Sequence, residues 1–179
     1  MVWTPARTWT NGEYVPASAF NSHVRDNLNF LYARSCRLRL STNTTTVGNV
    51  DAGEDNLMTY VVPANTLPTG VALEVFAWGT TAANANVKTL RFYFGSTGQT
   101  IMGVSAAVNY PWICRVAIIR TSATTQIIIP ELAINLYATT YIRLDAAEDL
   151  TAAVTLKFTG EAVATNDIEQ YGMIVILRR

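Results

Sequence analysis

Charged residues, histidines and long apolar runs are all scarce in this sequence, and each scarcity excludes a class of function. Thirteen basic residues balance thirteen acidic ones, so the formal net charge is zero. The charges are scattered singly, whereas nucleic-acid binding depends on clustered lysine and arginine that neutralise phosphates, so we expect no nucleic-acid partner. The single histidine, His23, has no second histidine or cysteine near it in sequence. This isolation argues against a metal site and against a catalytic triad.

The absence of long apolar runs argues against membrane insertion and secretion. No stretch approaches the roughly 18 apolar residues that a spanning helix needs, and no apolar segment follows Arg7 as a secretory signal would require. We therefore expect a soluble chain made in the cytosol, with no membrane partner. In a reducing cytosol Cys36 and Cys114 should stay unpaired. Cys114 alternates with apolar residues, which predicts a small, buried side chain.

Carboxylates are also too dispersed to indicate a particular chemistry. The best cluster is "DAGED", with Asp51, Glu54 and Asp55, and it offers too few regularly spaced oxygen ligands for calcium. We expect a solvated acidic loop, no cofactor and no enzyme activity. A glycosidase, however, needs only two carboxylates that the fold brings together, and this alternative stays open.

From residue 36 onward the sequence predicts a β-sandwich. Apolar and polar residues alternate with a period of two in about nine or ten short segments separated by Gly, Pro and Asn turn signals. No helix-length periodic segment interrupts them, which argues against a βαβ architecture and its nucleotide-binding crevice. In "KTLRFYFG" the alternation places Leu90, Phe92 and Phe94 in the core and leaves Arg91 and Tyr93 outside. We expect one sandwich domain over 36–179.

Two strands are apolar on both faces, which indicates burial on both faces. They are "PWICRVAIIRT", around Ile118, and "YGMIVILRR", around Ile174. A two-layer sandwich covers only one face of each sheet, so the second face should meet the N-terminal helix, a long loop or another subunit. We favour another subunit, because the helix is too short to cover two or three strands. Ile118 and Ile174 therefore mark the predicted subunit interface.

Residues 1–35 form a separate N-terminal segment, an irregular arm followed by a helix. The arm, "MVWTPARTWTNGEY", has an Asn11-Gly12 turn signal and more large aromatics than a free tail usually carries. It either packs on its own domain or binds a partner chain. A helix is predicted from Val15 to Tyr32, with Pro16 in its first turn and Ser18 as an alternative cap. At 100° per residue one narrow apolar stripe results, suited to docking on a sheet or to pairing with copies of itself. The stripe contains Ala17, Phe20, Val24, Leu28 and Leu31.

The stretch "TPARTWTNGEYVPASAFNSHVRDNLNFL" resembles a segment that recurs at the N-terminus of tailed-bacteriophage structural proteins. The resemblance rests on Trp9, Gly12, Glu13, Asn21, His23, Val24, Arg25, Asp26, Asn27 and Leu28. The later stretch "VPANTLPTGVALEVFAWGTTAANANVKTLRFYFG" is similar to the first strands of phage jelly-roll modules of the trimeric head-and-tail appendage type. Together the two similarities cover most of the chain.

This resemblance implies an all-β fold, a jelly-roll-like sandwich of about 8–10 antiparallel strands preceded by an extended arm and one α-helix. It implies a homotrimer on the virion, made in the host bacterial cytoplasm and held to capsid or tail proteins by its N-terminal segment, as decoration or fibre proteins are. Arg25 and Asp26 would then provide donors and acceptors for docking, unless they are an ordinary solvated helix face. The residues expected at the anchoring and oligomer interface are Trp3, Trp9, Tyr14, Phe20, Val24, Arg25, Asp26, Leu28 and Leu31.

The rival hypothesis is a receptor-binding module that recognises a host-surface glycan on the same fold. Such a site should expose a flat aromatic side chain beside an acid. The candidates Tyr110, Tyr137 and Tyr141 have no acid next to them in sequence.

Overall fold

The computed structural model describes residues 8, 10–28, 37–104, 109–134, 137–141 and 143–178, without the side chains of 104 and 137–141. The chain divides into two compact units, Met1–Arg37 with Arg179, and Leu38–Arg178. The division falls close to the predicted boundary between residues 35 and 36.

In the described part of the second unit, the regular secondary structure consists of β-strands joined by turns and loops. In chain order they are β1 (Leu38–Asn43), β2 (Val47–Gly48), β3 (Glu54–Val62), β4 (Ala72–Thr81), β5 (Lys88–Phe94), β6 (Thr97–Val104), β7 (Pro111–Arg120), β8 (Gln126–Ile134), β9 (Tyr137–Tyr141), β10 (Leu144–Ala146), β11 (Val154–Ala162) and β12 (Ile168–Arg178).

The strands form two antiparallel sheets. The eight-stranded sheet has the order β1-β12-β4-β7-β8-β10, with β2 paired to β12 and β9 paired to β8. The four-stranded sheet has the order β3-β11-β5-β6. The chain crosses between the two sheets, as in a jelly roll. In the larger sheet β12 lies between β1 and β4, and in the smaller sheet β11 lies between β3 and β5. Strands β8 to β10 extend the larger sheet beyond β7. The predicted all-β antiparallel sandwich is confirmed.

The core lies between the two sheets and follows the predicted alternation. Leu90, Phe92 and Phe94 of β5 are fully buried, and Arg91 and Tyr93 point outward. Phe92 packs against Phe158 of β11 with ring centroids 5.2 Å apart. Each large apolar side chain removed from water in this way contributes about 1.5–3 kcal/mol. Among the described residues, the buried apolar side chains of this core run from Leu57 to Leu177.

The strands that are apolar on both faces divide their side chains between the core and the outer face of the larger sheet. On β7, Ile118 is fully buried with 0% of its surface exposed. Its side chain therefore cannot contact another subunit, and its assignment to a subunit interface was wrong. The outward positions beside it are Ala117 and Ile119, which are partly exposed. On β12, Ile174 does lie on the outer face, where it is partly exposed.

The N-terminal unit contains a helix that differs from the predicted one in its start and its pitch. The helix α1 (Ala17–Phe20) begins after Pro16, which is its N-cap residue, so it does not start at Val15 as predicted. No side chain caps it, so Ser18 is not its cap. The Ser18 carbonyl instead accepts a hydrogen bond from the Ser22 hydroxyl. A π-helical segment, Asn21–Arg25, follows, and helical turns continue through Leu28. The predicted end at Tyr32 lies outside the described residues.

Candidate attachment and subunit-contact surfaces

A tight turn in the arm precedes the helix. The Glu13 N–H donates to the Thr10 carbonyl at 3.1 Å, and Gly12 has φ +81°, a conformation that glycine adopts without strain. The Glu13 carboxylate closes the turn by accepting hydrogen bonds from the Thr10 amide at 3.2 Å and from its hydroxyl at 3.3 Å. The turn predicted from Asn11-Gly12 is confirmed, and Tyr14 follows it with 85% of its surface exposed.

The π-helical segment changes which residues share a helix face. The Asp26 N–H donates to the Asn21 carbonyl five residues back, so the segment holds more residues per turn than the 3.6 assumed for the stripe. Asn27 is buried, and its Nδ2 donates to the His23 carbonyl. Leu28, in contrast, is 60% exposed. The helix is therefore not the regular one assumed for the stripe, and the stripe through Val24 and Leu28 stays a prediction.

Large apolar side chains remain exposed along this segment. Phe20 is 54% exposed, in addition to Tyr14 and Leu28, and Val24 is partly exposed. Exposed aromatic and leucine side chains so close together in sequence are typical of a surface that meets a partner. Trp3, Trp9 and Leu31, the other predicted anchoring residues, lie outside the described residues.

Arg25 and Asp26 pair with each other on the helix. The Arg25 Nε and one of its terminal nitrogens both lie 2.9 Å from Asp26 Oδ1. The two side chains are 59% and 34% exposed, so this pair contributes little to the stability of the free chain. Their predicted role in docking stays a prediction.

The outer face of the eight-stranded sheet carries a group of apolar side chains, here called the outer apolar surface. It consists of Phe76, Trp78, Ala117, Ile119, Ile127, Ile129, Ile174 and Ile176, all partly exposed. Trp78 lies over the backbone of Gly172, because a Cβ at Gly172 would come within 2.1 Å of the indole ring. Charged residues lie among these apolar ones. Glu74, between Ile176 and Ala117, pairs with Arg178 at 2.7 Å, and Arg115 lies over the Phe76 ring, 5.7 Å from its centroid.

Charged residues on the outer face of the four-stranded sheet neutralise one another. Arg91 lies 2.6 Å from Glu161 and 3.3 Å from Glu54. Burial raises the pKa of Glu54, but hydrogen bonds from Thr159 and Tyr93 and the charges of Arg91 and Lys157 outweigh that effect and lower it. We interpret this cluster as support for the sheet, since its charges already have partners.

The "DAGED" loop also uses its carboxylates internally. Asp55 Oδ2 accepts the amides of Val50 and Asp51 at 2.7 and 3.2 Å, and Asp51 Oδ1 accepts the amide of Gly53 at 2.7 Å. Within the described part of the chain, no group of three or more His, Cys, Asp or Glu side chains could hold a metal ion. Burial raises the pKa of the Cys114 thiol to about 12, so this cysteine is protonated at neutral pH.

The structure also contains a buried polar cluster that the sequence interpretation missed. Lys88 is fully buried, and its ammonium donates to the Asn84 side-chain oxygen at 2.8 Å and to the Asn84 and Asn86 carbonyls at 3.0 Å. Asp167, 1% exposed, accepts the side-chain amides of Asn84 and Asn86 and the backbone amide of Ala164. The sequence did indicate the burial of Lys88. Lys88 and Leu90 are alternate residues of β5, so their side chains lie on the same face and both point into the sandwich.

No family model matches this chain, and no curated protein or solved structure matches it either. Among the described residues, no helix is long and apolar enough to cross a membrane.

Proposed function

We propose that this chain is a non-enzymatic structural protein of a tailed-bacteriophage particle, a homotrimeric jelly-roll-like sandwich anchored to the capsid surface or tail by residues 1–35. The observation that carries the proposal is the exposure of Tyr14, Phe20 and Leu28 in the described part of the N-terminal unit. A segment that keeps such apolar side chains in water is well suited to binding another protein. The sequence similarity of this same segment to phage structural proteins supports the choice of partner.

The outer apolar surface supports the homotrimer. Ile174 and Ile176 of β12 and Phe76 of β4 lie side by side on it, and the charges among them already have partners: Glu74 pairs with Arg178, and Arg115 lies over the Phe76 ring. A largely apolar surface whose charges are already partnered can meet a copy of itself without leaving an unpaired charge buried. In the proposed trimer the β7 residue at the subunit contact is Ile119, not the predicted Ile118.

Leu28→Asp tests the anchoring role, with Val163→Asp as its matched control. Leu28 is 60% exposed and Val163 is 65% exposed, so both variants should melt within about 2 °C of the parent, since exposed substitutions cost within about 0.5 kcal/mol. Leu28→Asp should weaken co-sedimentation with the phage particle that encodes this chain by about tenfold or more, because a carboxylate would be buried at the contact. Equal binding by both variants would contradict the proposal.

One observation favours the glycan-binding alternative enough to keep it as a second candidate. Tyr171 is 39% exposed, and its hydroxyl donates to the Glu169 carboxylate at 3.3 Å, so an exposed aromatic ring does stand beside an acid. Tyr110 is partly exposed, and the side chains of Tyr137 and Tyr141 are outside the described residues. A glycan array in which the parent binds and Tyr171→Ala does not would favour this function; absence of binding by the parent would count against it.

A further inference from the structure

A buried amine, an amide and a buried carboxylate meet at one end of the sandwich. Lys88 begins β5, Asn84 lies in the connection between β4 and β5, and Asp167 lies in the connection between β11 and β12. Lys88 is 0% exposed and Asp167 is 1% exposed. The Asn84 side chain lies between them, with its oxygen towards the lysine and its nitrogen towards the aspartate.

The distances place the lysine nitrogen near a carbon that it can attack. Lys88 Nζ lies 2.8 Å from Asn84 Oδ1, and a carbonyl bond is about 1.2 Å long, so the amide carbon lies no more than about 4 Å from Nζ. Asp167 Oδ1 lies 2.5 Å from Asn84 Nδ2, the atom that would leave. Asn86 is not an equivalent target, because Lys88 contacts its backbone carbonyl rather than its side-chain amide.

The lysine and the aspartate contact the same amide from two sides. Among the ion pairs between described residues, Lys88 and Asp167 form none with each other; the Asn84 amide separates them. The Lys88 ammonium donates to Asn84 Oδ1, so this oxygen is placed to take a proton from it, and the Asp167 carboxylate accepts from Asn84 Nδ2. A lysine nitrogen that has given up one proton is a nucleophile.

We propose that Lys88 and Asn84 form an intramolecular amide bond. The Lys88 ammonium gives one proton to Oδ1 of Asn84, and the neutral nitrogen adds to Cγ, forming a C–N bond. The attacking nitrogen then sheds a second proton, which the Asp167 carboxylate takes and passes to Asn84 Nδ2. The Cγ–Nδ2 bond breaks and ammonia leaves. Oδ1 gives its proton to that ammonia and becomes a carbonyl oxygen again, so an ammonium ion is released and Asp167 ends as a carboxylate. The step needs no oxidant or added reactant, and the proposal does not depend on the attachment function.

The intact mass of the purified full chain tests this directly. The bond predicts a mass lower than that of the sequence by one ammonia. It also predicts resistance to trypsin at Lys88, because trypsin needs a charged lysine. The next basic residues on either side are Arg39 and Arg91, so digestion of the unfolded chain should release residues 40–91 as one peptide lighter by one ammonia. A full-mass protein that trypsin cleaves after Lys88 would overturn the proposal.

Variants separate this bond from other losses of ammonia. Lys88→Arg keeps a positive charge but has no amine, and Asn84→Ala has no amide, so each should show its full sequence mass. Cyclisation of Asn84 onto its own backbone would also release ammonia, but it would leave Lys88 cleavable and would persist in Lys88→Arg. That pattern would overturn the proposal too. Because the parent protein alone gives the decisive mass and digest, the test stands even if a variant fails to fold.

Discussion

The indole of Trp112 packs directly against Gly79 across the pair formed by β4 and β7. A Cβ at Gly79 would lie 2.6 Å from the Trp112 ring and 1.9 Å from the Glu169 carbonyl oxygen of β12. Trp112 is also held by its indole N–H, which donates to the Thr80 carbonyl at 3.3 Å. The close approach of three strands at this point therefore requires glycine.

Gly79→Ala should destabilise the sandwich strongly. The added methyl group collides with a backbone carbonyl, which cannot move without displacing β12, so we expect a loss of about 3 kcal/mol and a fall in Tm of roughly 6–12 °C. Gly103→Ala is the control, since a Cβ there meets only Thr100 at 3.7 Å. Thermal unfolding followed by circular dichroism measures both. A Gly79→Ala protein that melts with the parent would show that the packing of Trp112 on Gly79 is not as described.

Asp167 should make stability depend on pH in the acid range. Before Lys88 and Asn84 are joined, burial raises the pKa of Asp167, but the hydrogen bonds from Asn84, Asn86 and Ala164 and the charge of Lys88 outweigh burial and lower it. Because the folded-state pKa is below the unfolded value of about 3.9, the stabilisation is fully present above that value. It is lost as the pH falls through the folded-state pKa.

Urea unfolding of the parent and of Asp167→Asn between pH 7 and pH 2 tests this dependence. The variant should be less stable at pH 7 by about 3 kcal/mol, since an amide cannot accept all the bonds that the carboxylate accepts. The difference should shrink towards the acid end, where the parent's own carboxyl becomes protonated. A difference that stays constant over the whole range would show that Asp167 does not titrate in this way.

Ile174→Asp should separate the subunits. Ile174 lies on the outer apolar surface, between Phe76 of β4 and Thr42 of β1, and a carboxylate there would be buried in the proposed trimer and hydrated in the monomer. Light scattering at micromolar concentration should show a trimer for the parent and a monomer for the variant. Val61→Asp, which alters an exposed valine on the other sheet, should remain a trimer. A parent protein that is a stable monomer would contradict the proposed assembly.

The alternation of apolar and polar residues was enough to predict the sandwich, because side-chain parity in a strand follows directly from the pleat. Leu90, Phe92 and Phe94 occupy the core as the sequence predicts, and Ile113 and Ile119 lie on the opposite face from Trp112. Parity also places Ile118 on the inner face with Trp112, so the choice of Ile118 for the predicted subunit contact did not follow from the alternation.

The helix and the buried cluster show what periodicity cannot provide. A stripe drawn at 3.6 residues per turn assumes a regular α-helix, and the π-helical segment at Asn21–Arg25 shifts the phase so that Asn27 is buried while Leu28 is exposed. The burial of Lys88 depends on acceptors that only the folded connections supply, among them the Asn86 carbonyl. Asp167, which accepts the Asn84 side-chain amide, lies 83 residues further along the chain, and a partner so distant has no signature in a single sequence.

Removal of residues 1–34 tests the attachment account most directly. All described core residues lie between Leu57 and Leu177, so the truncated chain should keep the β-type circular dichroism spectrum of the parent and a cooperative thermal transition. In the same preparation it should no longer co-sediment with the phage particle that the full chain joins. Loss of the folded spectrum would mean that the N-terminal segment supports the sandwich itself, and a folded, truncated chain that still decorates particles would contradict the account.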